Sequence, residues 1–73
     1  MEIEEAKELK IGELVYFPKK TNSKGEPMKW RVNGKVTVWK TMPDRVKVPI
    51  KHGLYMNGYI TEQNMDLFER NAS

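Results

Sequence analysis

The sequence predicts a small, mainly β domain, and three observations carry that expectation. Apolar and polar side chains alternate through residues 45–51 and again through 30–38, the period of a half-buried strand. Turn-forming Gly, Pro, Asn and Asp recur between the apolar runs. Helical spacing is confined to residues 2–9 and to one turn near the C-terminus, neither long enough to stand without docking.

Taken in order, residues 2–9 place Ile3, Ala6 and Leu9 three apart behind several Glu, which suits one amphipathic helical turn or a frayed tail. Residues 10–18 begin at a Gly turn and run through Leu14, Val15, Tyr16 and Phe17 as a strand, with Pro18 expected to stop it. Residues 19–29 read as a long basic loop. Asn33-Gly34 is a hairpin signal, but a tight hairpin would set Val32 against Lys35 and Arg31 against Val36. Trp30, Val32, Val36 and Val38 share one parity, so 30–41 reads instead as one long strand bent or bulged at Gly34. Met42-Pro43-Asp44-Arg45 reads as a type I turn. Val46, Val48 and Ile50 then face one way, and Arg45, Lys47, Pro49 and Lys51 the other. Pro49 lacks an N–H, which points to an edge strand or a local irregularity. A reversal is expected at Asn57-Gly58, with Met56 against Tyr59. After it, Thr61 caps a 3-10 or short helical turn through Glu62–Asn64, and Leu67 and Phe68 suit a helix or a final strand.

This order resembles the SH3-like small barrels of KOW and Tudor type. The resemblance rests on Gly12-Glu13-Leu14-Val15-Tyr16, Gly34-Lys35-Val36, Val46-Lys47-Val48 and the closing stretch Thr61–Leu67. It covers most of the chain after residue 10. It implies a barrel of about five short strands with the first and last near one another, and as a fold-level likeness it says little about function.

A chain of 73 residues is read as one domain, 1–73, with an N-terminal extension at 1–10 and the barrel at 11–70. Such a domain buries only roughly 60% of its unfolded surface. There is no cysteine to supply a disulfide or a thiolate metal site. No apolar run is of bilayer-spanning length, and the first residues are acidic where a signal peptide is basic, so a cytoplasmic location is expected. The single histidine, His52, is the lone candidate base, and beside Gly53 it reads as a surface or hydrogen-bonding residue. With no nucleophile–base pair, metal cluster or phosphate loop in the sequence, neither catalysis nor a cofactor is expected.

Charge is the informative feature. Between Lys19 and Lys51 lie ten Lys or Arg and two acids, Glu26 and Asp44, whereas both flanks are net acidic. By strand alternation Lys35, Thr37 and Trp39 point outward from one strand, and Arg45, Lys47 and Lys51 from the next. Lys19, Lys20, Lys24 and Lys29 extend the track along the basic loop. Cations that neutralise phosphates beside an aromatic that stacks on a base are what a nucleic-acid surface requires. The leading expectation is a non-catalytic basic protein, monomer or weak homodimer, that contacts DNA or RNA or a nucleoprotein machine through this Lys/Arg/Trp face. The alternative is a protein-interaction module or small modulator that docks on a larger enzyme through the same face, with Trp39 as its anchor. A third reading takes Tyr16, Tyr55 and Tyr59 with Trp39 as a Tudor-like cage for a methylated Lys or Arg.

Overall fold

The alternation of Val46, Val48 and Ile50 is realised in the longest strand of the protein. The computed structural model describes residues 1–70; the expected domain runs to residue 73, and positions 71–73 lie outside the described residues. In chain order the elements are α1 (Ile3–Lys7), β1 (Leu14–Thr21), β2 (Pro27–Val32), β3 (Thr37–Trp39), β4 (Met42–His52), β5 (Met56–Thr61) and a 3-10 turn at Met65–Leu67. The strands form one antiparallel sheet, so the protein is mainly β with a short N-terminal helix and a C-terminal 3-10 turn.

β4 is central. β5 pairs with one of its edges along Lys47–His52. On the other edge Arg31 and Val32 of β2 face Lys51 and Ile50, while Thr37 and Val38 of β3 face Lys47 and Val46. The six steps from Arg31 to Thr37 thus cover only four on β4. The surplus is absorbed at Asn33–Val36, where the Asn33 N–H still donates to the Pro49 carbonyl at 3.0 Å. Asn33-Gly34 is therefore a bulge and not a hairpin. The ladder lapses there, however, so the expected single strand over 30–41 is two strands on one edge. Pro49 does not mark a sheet edge. In a strand a residue's nitrogen and carbonyl point to the same side, so the donorless Pro49 nitrogen faces the lapse.

Several expected turns fall elsewhere. β1 continues through Pro18 to Thr21, with a register shift between Phe17 and Thr21. Beyond β2, among the described residues, β1 pairs through a single bridge from Tyr16 to Glu69, and such an irregular outer position tolerates a proline. The expected loop at 19–29 is the far end of the β1–β2 hairpin. Its tip is wired by Asn22, whose Oδ1 accepts from the N–H groups of Lys24 (2.9 Å) and Glu26 (3.0 Å). Gly25 supplies the positive φ of 80° that this tip requires. The expected turn at Met42–Arg45 lies at Lys40-Thr41, because Trp39 pairs with Met42, and Pro43, Asp44 and Arg45 bulge from the start of β4. The reversal before β5 uses Gly53, with φ of 66°, and not Asn57-Gly58: Met56 pairs with His52, and Gly58 lies in β5 opposite Ile50. Thr61 Oγ1 accepts from the Gln63 N–H at 3.2 Å in the turn at 62–64, but the 3-10 turn itself follows at Met65–Leu67, with Asn64 in its N-cap position and no side-chain cap.

The core forms on the even-numbered face of β4. Val15, Val32, Val46, Val48, Ile50 and Ile60 are fully buried, each contributing about 1.5–3 kcal/mol relative to exposure. Ala6 and Leu9 of the N-terminal segment, and Phe68 after the 3-10 turn, close over them. The helix therefore docks instead of fraying, and Lys7 Nζ anchors it to the Pro43 carbonyl at 2.7 Å. Trp30 has the inward parity expected of it and packs against this core, although its buried Nε1–H has no partner among the described residues. Val38 shares that parity but stands at the sheet's end, where the core runs out, and is 54% exposed instead of buried. The Glu69 and Tyr16 backbones exchange hydrogen bonds of 2.8 and 2.9 Å, bringing the last described segment back to β1.

Candidate binding face

Because α1 and the 3-10 turn cover the even-numbered face of β4, the opposite face of the sheet is left open. Pairing register assigns its side chains in rows, since directly opposed residues share a face. Leu14, Arg31, Lys51 and Asn57 form one row across four strands. Tyr16 and Lys29 form the next in one direction. Pro49 and Tyr59, then Thr37, Lys47 and Thr61, follow in the other. The acidic α1, with Glu2, Glu4 and Glu8 exposed, lies on the covered side.

Among the expected contact residues, Thr37, Lys47 and Lys51 lie exposed on the open face, and Lys35 is exposed at the neighbouring bulge. Lys29 belongs to β2 and shares the face through its pairing with Tyr16. Lys19 and Lys20 are exposed on the outer part of β1, and Lys24 is at the hairpin tip, so these three form an arm beside the face. Trp39 is half-buried, with the Arg45 guanidinium 4.4 Å from its ring centroid. Arg45 also meets Glu62 at 3.9 Å. The indole therefore already carries a cation, and that cation already has a carboxylate. The Val46 N–H donates to Glu62 Oε1 at 3.0 Å, and this bond, with Arg45 a lesser cause, holds the Glu62 carboxyl below its ordinary range.

Two contributors escape a reading by residue type. Arg31 lies directly opposite Lys51, and like charges so placed are destabilising. Its Nη1 donates to the Gly12 carbonyl at 2.7 Å. The outward parity of Arg31 follows from Trp30 and Val32 being inward, which was the signal available. Tyr59 is 51% exposed, and Lys47 Nζ lies 4.3 Å from its ring centroid. An expected turn at Asn57-Gly58 hid the face to which Tyr59 belongs. The tyrosines do not gather around Trp39: Tyr16 and Tyr59 lie on different strands of the open face, and Tyr55 is 90% exposed in the β4–β5 turn. Acidic groups border the face at its corners, Glu69 opposite Tyr16 and Glu62 beside Arg45. Among the described residues no three His, Asp or Glu gather as a metal site, and no helix is long and apolar enough to cross a membrane.

Compared with known proteins, the chain matches no family model, no curated protein and no solved structure.

Proposed function

We propose that the chain binds single-stranded nucleic acid through the open face of its sheet, without catalysis. The observation that carries this reading is the register that sets Lys29, Arg31, Lys47 and Lys51 on one uncovered face around the half-exposed ring of Tyr59. The cations neutralise phosphates and release counterions, and the tyrosine offers a π-face to an unpaired base. The Arg31–Lys51 juxtaposition costs stability in the free protein and favours a bound polyanion. The Lys19, Lys20 and Lys24 arm adds contacts without sequence preference. A resemblance to small SH3-like barrels accords with a binding module of this size but does not select its ligand.

Fluorescence anisotropy with a labelled single-stranded oligonucleotide over a salt series tests the reading. Affinity is expected to fall linearly on log–log axes, and Lys47→Gln to make that slope shallower by about 0.7. Lack of binding at low salt rejects the proposal and leaves the protein-docking alternative, in which a partner survives nuclease treatment of a pull-down.

A further inference from the structure

The open face is not uniform along its length. At the end away from the Lys40-Thr41 turn, a depression of about 580 Å³ is lined by Leu14, Lys29, Arg31, Lys51, His52 and the Gly53-Leu54 turn. That volume falls within the range of small-ligand sites. Among the described residues its lining holds three cations and no carboxylate. Arg31 and Lys51 are directly opposed across β2 and β4, and Lys29 stands two residues along β2 on the same side.

Two of the lining groups are fixed by the backbone around them. Arg31 Nη1 donates to Gly12 O, and a hydrogen bond of 2.6 Å joins His52 Nδ1 to the Lys29 carbonyl. A carbonyl only accepts, so His52 Nδ1 carries the proton and Nε2 is the ring nitrogen left for other contacts. Lys51 makes no hydrogen bond or ion pair among the described residues, so its ammonium is free for a ligand. Beside these cations lie apolar groups, Leu14 and the 84% exposed Leu54, with Tyr55 next in the turn.

A phosphodiester brings one negative charge to such a place, whereas a phosphomonoester brings close to two at neutral pH. Three cations with no acid among them match the second better than the first. We propose that this depression holds the terminal phosphate of a nucleic-acid strand, with the terminal nucleoside against Leu54 and Tyr55. The strand then passes along β4, over Pro49 and Tyr59, toward Lys47. This assignment rests on the nucleic-acid reading above and adds to it a preference for strand ends.

The test compares one single-stranded oligonucleotide in three forms, 5′-phosphorylated, 3′-phosphorylated and unphosphorylated, by anisotropy at one salt concentration. One phosphorylated form is expected to bind about tenfold more tightly than the unphosphorylated strand. Lys51→Gln removes that difference, and Lys47→Gln weakens all three forms by a similar factor. Arg31→Gln is expected to act as Lys51→Gln does, and because Arg31 also bonds Gly12, the exposed Lys51 provides the cleaner variant. Equal binding of the three forms overturns the terminal-phosphate site while the open-face reading stands. Absence of binding by every form overturns both. A nucleoside monophosphate that binds as tightly as the phosphorylated strand, or phosphatidic acid vesicles that bind where strands do not, overturns the assignment to a strand end.

Discussion

The Pro49 ring lies so close to Gly34 that a Cβ added at Gly34 would sit 2.8 Å from Pro49 Cγ and 3.2 Å from its Cβ. No positive φ holds glycine at this position, so the requirement is closeness of approach and not backbone conformation. Gly34→Ala is expected to destabilise by about 1–3 kcal/mol, the usual cost of overpacking. For a domain this small each kcal/mol lowers Tm by about 4–8 °C. Pro49→Ala removes the obstructing ring, so the double variant should lose less than the two single losses combined. Thermal melts of the four proteins check this, and strict additivity would contradict it.

Glu62 links stability to pH. Its carboxyl is held below the ordinary value of 4.5, chiefly by the Val46 N–H and then by its own backbone N–H, with a lesser Arg45 contribution. A folded-state pKa below the unfolded one contributes stability that is present above the unfolded value and lost as pH falls through the folded value. Glu62→Gln should therefore be less stable than the parent at pH 7, with the two converging below the depressed carboxylate range. Urea midpoints at pH 7 and pH 3 give the comparison.

Tyr59 and Trp39 should separate binding from stability. Tyr59→Leu keeps an apolar side chain but removes the π-face, and should weaken single-strand binding by about 1–3 kcal/mol with little change in Tm. Trp39→Leu removes the ring over which the Arg45 guanidinium lies, so its effect should appear mainly in stability. The pair of variants, measured by anisotropy and by melting, should show opposite patterns.

Trp30 buries an indole N–H that has no acceptor among the described residues, and an unsatisfied buried donor costs about 1–3 kcal/mol. Trp30→Phe removes that donor while keeping a ring beside His52, now 5.6 Å away between centroids, and above Gly58. It should cost less than the about 3–5 kcal/mol expected of truncation to Ala. Chemical denaturation of the parent, Trp30→Phe and Trp30→Ala gives the ranking.

How legible this fold was depended on whether a signal was local. Val46, Val48 and Ile50 could be assigned because alternation over a strand is a property of adjacent residues. The same parity rule placed Lys47 and Lys51 on the open side. Turn dipeptides proved less decisive, because Asn57-Gly58 and His52-Gly53 carry similar chemistry and only pairing with β4 selects between them. Pro18 was read as a stop and Pro43 as part of a turn, yet each sits where a strand is irregular and no neighbour needs an N–H. Trp39 shows the limit most clearly: alternation gives its side of the strand, but its cover comes from Arg45, six positions away across a bulge.

The two surplus residues between β2 and β3 are an even number, and this is why Arg31 and Thr37 emerge on the same side of the sheet. A single insertion or deletion in that stretch would invert the phase of everything that follows in β3, turning Thr37 toward the covered side and Val38 toward the open one. Length variation at this joint should therefore be accepted in steps of two. One odd codon there would take Thr37 off the open face without altering any side chain on it.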